Sequence, residues 1–134
     1  MNEGDRDHAD RRLRDDLIIW LTTVSPHGQP QTSPVWFWWD GETVVLFSTP
    51  RSPKVANIRA NQRVALNLDG NGQGGDIVSI EGTAELFDDP LTSFPAYLER
   101  YTEKLAAMGY EAEPFAHAYS VGIRVIPSRV RVYI

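Results

Sequence analysis

The sequence predicts a mainly β protein, a small antiparallel β-barrel of six to seven strands with helices packed on it. Three observations support this fold class. Runs of β-branched and aromatic residues of strand length alternate with turn residues, Asp40-Gly41 is a strong hairpin signal, and 77–87 alternates in side-chain character over a long stretch. At 134 residues the chain is long enough for one domain with its own core.

The chain divides at about residue 17. Residues 1–16 are almost wholly polar with mixed charges, so we expect a partly disordered segment containing a short helix over Asp10–Asp15. Residues 17–134 form the barrel domain. Its first three strands are predicted as an antiparallel meander joined by tight turns, over Leu17–Val24, Gln31–Trp39 and Glu42–Ser48.

The later elements follow from the same signals. They are a helix over Lys54–Ala60, strands over Arg63–Asp69 and Asp76–Phe87, a helix over Leu91–Met108, a helical turn near Glu113–His117, and a last strand over Tyr119–Val125 and Arg129–Ile134 that is broken at Pro127. We expect the long helix to bury Phe94, Tyr97, Leu98, Tyr101, Leu105 and Met108. The glycine-rich stretch 70–75 leads into a strand without a following Gly-Lys pair, so it is read as a hairpin connection.

Four consecutive aromatic residues, Trp36–Trp39, lie in the second predicted strand. Successive side chains of a strand point to opposite faces, so both faces of this strand are aromatic. One face can fill the barrel interior. The other needs a cover, for which a partner subunit or a flat ligand is suitable.

Composition excludes several classes of function. The chain has no cysteine, so disulfides and thiolate chemistry are absent. A net charge of -5 argues against nucleic-acid binding, and no apolar run reaches bilayer length, so we expect a cytoplasmic protein without a membrane partner. His8, His27 and His117 stand apart from one another, and we expect no metal site.

A candidate anion site follows the third predicted strand. Ser48 and Thr49 end that strand, and Arg51 and Lys54 lead into a short helix. Hydroxyls, cations and a helix N-terminus together suit a phosphate, although a capped loop with two solvated cations has the same pattern. No nucleophile or acid–base set is evident, so an enzyme of this sequence would take its chemistry from a cofactor.

Several segments resemble one known family. "SPHGQP", "PVWFWWDG", "VVLFST", "PRSPKVANIRANQRVAL" and "VSIEGTAEL" are similar to the pyridoxamine 5′-phosphate oxidase-like FMN-binding split β-barrel superfamily, and within it to the F420-dependent flavin/deazaflavin oxidoreductase branch. The similarity extends from about Leu17 to the C-terminus. It implies a split β-barrel that forms a homodimer, with two cofactor sites at the interface.

The resemblance also implies which residues bind the cofactor. Ser48, Thr49, Arg51 and Lys54 would hold the phosphate, and Thr32, Ser33, Pro34, Val35 and Trp36 would lie along the flavin-like ring, with Ile77 and Val78 near it. From the second subunit, one of three arginines would reach the anionic tail: Arg124, Arg129 or Arg131.

Departures from the family pattern bear on the cofactor. The vitamin-processing oxidases carry an arginine and a lysine where this chain has Pro30 and Val35, and a glutamine where it has Ile77. These differences favour coenzyme F420 over FMN, and hence hydride transfer between F420 and a small organic acceptor whose identity the sequence does not specify. FMN as the cofactor, or a non-catalytic protein binding flavin, deazaflavin or haem, are the alternatives. The product's proton would come from water or from a hydroxyl such as Tyr133.

Overall fold

A computed structural model describes all 134 residues. Seven strands form one antiparallel sheet in the order β2-β1-β5-β6-β7-β4-β3. The elements in chain order are α1 (Glu3–Asp15), β1 (Ile18–Val24), β2 (Pro30–Trp36), β3 (Trp38–Trp39), β4 (Val44–Ser48), α2 (Pro53–Ala60), β5 (Arg63–Asn67), β6 (Ile77–Phe87), a 3-10 turn (Leu91–Ser93), α3 (Pro95–Ala107), α4 (Ala112–Ala118) and β7 (Val121–Tyr133). The mainly β fold class and the strand number are confirmed.

The two edges of the sheet are joined at one residue, Phe37. β2 pairs with β1 at one edge, β3 pairs with β4 at the other edge, and Phe37 is the single residue between β2 and β3. The sheet therefore curls into a barrel that is closed by the chain at Phe37. The prediction of one continuous strand over Gln31–Trp39, and of a three-strand meander, is wrong for this reason.

A tyrosine from α3 takes the place of strand pairing at Phe37. The hydroxyl oxygen of Tyr101 accepts the Phe37 N–H at 2.8 Å, and its proton faces the carbonyl oxygens of Phe37 at 2.8 Å and Leu17 at 2.7 Å. Tyr101 and Phe37 are both fully buried. A buried peptide group needs a hydrogen-bond partner, and here a side chain supplies it.

The aromatic residues of this segment divide between two clusters. Phe37 and Trp39 point into the barrel, where they join the main core with residues such as Ile19, Leu46 and Ile80. Trp36 and Trp38 point outward and pack with Val45, Phe47, Leu91, Tyr97 and Tyr101 and with residues of α4. The expectation that both faces are aromatic is thus met, but the outer face is covered by helices of the same chain.

The N-terminal helix is longer than the sequence indicates. It begins at Glu3, where Asn2 accepts the Asp5 N–H at 2.8 Å, and it buries Ala9 and Leu13 in the core. His8 and Arg12 bind Asp76 at 2.6 Å and 3.0 Å, which lowers the pKa of that carboxyl group. Two buried apolar residues and an ion-pair cluster thus order a segment that composition alone describes as polar.

The helical region divides at a proline. Leu91–Ser93 forms a 3-10 turn and α3 begins at Pro95, because proline lacks the N–H that a helix continuing through this position would need, whereas the first residue of a helix needs none. Tyr97, Tyr101 and Leu105 are buried as predicted, whereas Met108 is 56% exposed and its predicted burial is wrong. The expected helical turn near Glu113–His117 is present as α4.

The structure differs from the sequence prediction at Pro127, which lies in the longest strand pair. β6 and β7 pair along their whole length, with a register shift between Glu81 and Gly82 that places Gly82 opposite Pro127. A Cβ on Gly82 would lie 2.5 Å from the Ile126 carbonyl oxygen, so only glycine fits. The last strand is therefore continuous, and the predicted break is an irregularity inside it.

The predicted hairpins are present. Trp39 pairs with Val44 across the Asp40-Gly41 turn, in which Gly41 has a φ of 98°. β5 and β6 pair as neighbours on either side of the glycine-rich stretch 70–75. None of the helices combines the length and apolar character needed to cross a bilayer.

We predict that Tyr101→Phe destabilises the protein by about 1–3 kcal/mol, the cost of leaving a buried Phe37 N–H without a partner. Urea denaturation followed by tryptophan fluorescence measures this change. Tyr97→Phe on the same helix is the matched control, because Tyr97 is also buried but its hydroxyl forms no hydrogen bond within the chain. Equal destabilisation by the two substitutions would contradict the role given to the Tyr101 hydroxyl.

Candidate functional site

A cavity of about 610 Å³ lies between the C-terminal ends of β2 and β4 and the helices α3 and α4. Its size is within the range of small-molecule and cofactor pockets. Fifteen residues line it: Pro34, Val35, Trp36, Phe47, Ser48, Thr49, Ser52, Lys54, Tyr97, Met108, Tyr110, Pro114, Phe115, Ala118 and Tyr119.

One wall of the cavity is a series of stacked aromatic rings. Trp36 lies parallel to Tyr101 behind it, with ring centroids 4.5 Å apart. Phe115 lies 5.6 Å from Trp36, and Tyr119 stacks on Phe115 at 4.3 Å. Aromatic faces of this kind suit a flat conjugated ligand.

The other end of the cavity is polar. Ser48 closes β4 and donates its hydroxyl to the Thr49 carbonyl at 3.1 Å, while Ser52 precedes α2 and forms no cap with its side chain. Lys54 Nζ donates to Ser52 Oγ at 2.9 Å. The hydroxyls of Thr49 and Ser52 are therefore free to donate to a ligand.

Lys54 is the only charged residue among those lining the cavity. It is half-buried, and burial lowers its pKa. No carboxylate lies within ion-pair distance of it, whereas Arg12, Arg14, Arg124 and Arg131 all have acidic partners. A partly desolvated cation without a counter-ion, beside free hydroxyls, can bind an anion.

Asn57 connects the polar end to the aromatic wall. It lies one turn after Lys54 on α2, is 4% exposed, and donates its side-chain amide to Thr23 of β1 at 2.9 Å and to Gln31 of β2 at 2.8 Å. β2 then carries Pro34, Val35 and Trp36 into the cavity wall. These bonds fix the helix that bears the cation relative to the strand that bears the ring wall.

Six of the eleven predicted site residues meet in this cavity: Pro34, Val35, Trp36, Ser48, Thr49 and Lys54. The structure places the other five elsewhere. Thr32 is exposed and its hydroxyl bonds to that of Thr22 at 2.7 Å, and Ser33 is half-buried on β2 without lining the cavity. Arg51 is exposed, although its neighbours Thr49 and Ser52 both line the cavity.

Ile77 and Val78 lie at the far end of β6 from the cavity, paired with Tyr133 and Val132. The Val78 side chain is 1% exposed, in the barrel core. Among the C-terminal arginines, Arg124 pairs with Asp40 at 3.0 Å, Arg131 pairs with Glu81, and Arg129 is exposed without an ion pair. Within a single chain these residues form no part of the cavity.

Sequence reasoning missed the wall that follows α3. Met108, Tyr110, Pro114, Phe115 and Tyr119 line the cavity, although the sequence indicated only a short helical turn here. The available signal was that α4 carries apolar residues yet buries none completely. His27 and His117 are exposed, His8 binds Asp76, and no group of three His, Cys, Asp or Glu residues is placed to hold a metal ion.

Comparison with known proteins agrees with this architecture. Residues 6–133 match the family model described as pyridoxamine 5′-phosphate oxidase, and the chain belongs to this family of split β-barrel proteins. No match was found among curated proteins.

Solved structures similar to the chain include an F420 reductase, with 27% identity, a TM-score of 0.74 and 98% of each chain covered. A conserved hypothetical protein from Mycobacterium tuberculosis is 28% identical with a TM-score of 0.74, covering 99% of this chain and 84% of the other. An FAD-binding protein from Mesorhizobium loti shares the fold. It is 21% identical with a TM-score of 0.70, and the match covers 97% of this chain and 92% of the other.

We predict that Lys54→Met leaves the protein equally or more stable at pH 7, because it removes a partly desolvated charge. The folded-state pKa of Lys54 is lowered, so the desolvation cost is fully present at pH values below that pKa. The cost falls as the pH rises through the folded-state pKa and is gone above the pKa of lysine in the unfolded chain. The stability difference between the wild type and the variant should therefore shrink at alkaline pH. Urea denaturation at pH 7 and near pH 10 measures it.

Lys104→Met is the matched control, since Lys104 lies on α3 outside the cavity. A Lys54→Met protein clearly less stable than Lys104→Met at pH 7 would show that the Lys54 ammonium group stabilises the fold.

Proposed function

We propose that the protein is an oxidoreductase that binds coenzyme F420 and transfers a hydride between it and a small organic acceptor. The observation that carries this proposal is the cavity itself, a slot walled by aromatic rings that ends at one unpaired, half-buried cation. A deazaflavin coenzyme has the same arrangement of parts, a flat ring followed by a phosphate.

The residues of the slot fit a flat ring. Trp36 is held in place from behind by Tyr101, and Pro34 and Val35 precede it on an edge strand and line the cavity with it. A rigid wall costs little entropy when a ligand binds. These residues would orient the ring, and Phe115 and Tyr119 would extend the same aromatic wall beside it.

The polar end fits the phosphate of the coenzyme. Lys54 Nζ and the hydroxyls of Thr49 and Ser52 would donate to phosphate oxygens. Arg51, exposed between Thr49 and Ser52, is suited to the carboxylates of the tail beyond the phosphate. The structure thus separates the two cations that the sequence groups together.

Two observations favour F420 over FMN. The F420 reductase among the similar structures shares 27% identity over almost the whole chain. In addition, β2 carries no cation, since Pro30 and Val35 occupy the positions at which the oxidases of this superfamily carry arginine and lysine. FMN remains the alternative cofactor because the family takes its description from an FMN-type oxidase.

The bound coenzyme would supply the hydride chemistry, and the chain would supply position and hydrogen bonds. Tyr97 lines the cavity, and burial raises the pKa of its phenol, so it stays a neutral donor at physiological pH. It is therefore suited to donate a hydrogen bond to an oxygen of the acceptor. Tyr133, the hydroxyl suggested by the sequence, is 63% exposed at the end of β7 and does not line the cavity.

We further propose that the protein acts as a homodimer with the cavity at the subunit interface. Met108 and Tyr110 line the cavity yet are 56% and 53% exposed, so this wall is incomplete within one chain. The partner would cover it and could bring Arg129, which is exposed and forms no ion pair within its own chain, to the anionic tail beyond the phosphate. Light scattering after size-exclusion chromatography is expected to give twice the monomer mass of 15.1 kDa.

We predict that Lys54→Met weakens F420 binding by about 1.5–3 kcal/mol, the contribution of a hydrogen bond to a charged group, or roughly 10- to 150-fold in Kd. Titration of F420 fluorescence with protein measures the affinity. Lys104→Met is again the control and should bind F420 like the wild type. Equal affinity of Lys54→Met and wild type for F420 would show that Lys54 does not contact the coenzyme. Tight binding of FMN with no binding of F420 would show that FMN is the coenzyme.

Catalysis is tested separately by stopped-flow oxidation of reduced F420 in the presence of quinones, enones and nitroaromatic compounds. We expect protein-dependent oxidation with at least one class of acceptor. F420 binding without oxidation by any of them would indicate a non-catalytic carrier.

A further inference from the structure

We propose that the cavity selects its cofactor by the charge of the phosphate, accepting a singly charged phosphodiester and discriminating against a doubly charged phosphomonoester. This inference deepens the proposed function, because it gives a physical reason for choosing between two cofactors with similar rings. It rests on the charge inventory of the cavity and the state of its one cation.

The cavity is lined by a single charged group. Of the fifteen lining residues only Lys54 is charged, and the other polar groups are hydroxyls. Arg51 and Arg59 are exposed and do not line the cavity, and Arg124 is neutralised by Asp40 at 3.0 Å. A ligand with one negative charge therefore leaves the site neutral.

The donor inventory is similarly small. Ser48 already donates to the Thr49 carbonyl, and one N–H of Lys54 is used by Ser52. Thr49, Ser52 and the remaining protons of Lys54 can bind phosphate oxygens. They can solvate a second negative charge but cannot neutralise it, and removing that charge from water is costly when no opposite charge faces it.

The two candidate cofactors differ in this respect. The phosphate of F420 is a diester and carries one negative charge at all physiological pH values. The phosphate of FMN is a monoester whose second pKa is about 6, so at pH 7.5 it is mostly doubly charged. A site that accepts only the single charge would bind FMN through its minor, protonated form.

Few groups of the protein can interfere with a titration between pH 5.5 and 7.5. The titratable groups that line the cavity are Lys54 from α2, Tyr97 from α3, and Tyr110 and Tyr119 beside and after α4. The unperturbed pKa values of lysine and tyrosine as residue types lie well above this range; burial raises the pKa of Tyr97 and lowers that of Lys54. His117 on α4 and the nearby Glu113 are exposed and do not line the cavity.

The experiment compares three ligands with the same ring: riboflavin without phosphate, riboflavin 4′,5′-cyclic phosphate with one charge, and FMN. Their Kd values are measured by flavin fluorescence from pH 5.5 to 7.5. The singly charged fraction of FMN rises from about 3% to about 75% over this range, so its affinity should improve roughly 25-fold as the pH falls. Riboflavin and the cyclic diester should change little.

At pH 7.5 we expect the cyclic diester to bind at least about 10-fold more tightly than FMN. FMN binding as tightly as the diester at pH 7.5, an FMN affinity independent of pH, or no binding of the diester would each overturn the proposal. His117→Gln should leave the FMN profile unchanged. Thr49→Lys, which adds a second cation to the cavity, should strengthen FMN binding at pH 7.5 and flatten its pH dependence.

The outcome is separable from that of the proposed function. If the charge preference is found but F420 is neither bound nor oxidised, charge selection stands and the coenzyme assignment is wrong. If F420 is bound and turned over but FMN affinity does not depend on pH, the function stands and charge selection is wrong.

Discussion

The hydrogen bonds of the Tyr101 hydroxyl to the Phe37 backbone are the constraint on which the rest of the structure depends. They allow the chain to leave one edge of the sheet and enter the other within a single residue. The same ring stacks on Trp36 and so fixes the wall of the cavity. Closure of the barrel and the shape of the site are therefore set by one side chain of α3.

The site trades stability for binding. Lys54 is held half-buried without a counter-ion, which costs free energy in the unliganded protein and makes the charge available to a ligand. The side-chain amide of Asn57 donates hydrogen bonds that hold α2 against β1 and β2. Such an arrangement is typical of binding sites, where local stability is given up so that the ligand completes the interactions.

Elements with strong local signals could be predicted from the sequence. The Asp40-Gly41 turn, α2 and the long alternating β6 depend on turn chemistry, a proline at the first helical position and period-two alternation, all of which act within a few residues. The end of β2 at Phe37 depends on Tyr101, 64 residues later, and the order of α1 depends partly on Asp76. No local sequence pattern predicts contacts between residues so far apart in the chain.

The same division applies to the site. Ser48, Thr49 and Lys54 belong to one continuous stretch, so the sequence predicts them as a group, whereas Phe115 and Tyr119 reach the cavity only through the packing of α4. The most direct measurement of the central claim is a crystal structure of the protein with F420. The account predicts the coenzyme's ring along Trp36 and its phosphate within hydrogen-bond distance of Lys54 Nζ. A coenzyme bound elsewhere, or a phosphate remote from Lys54, would contradict it.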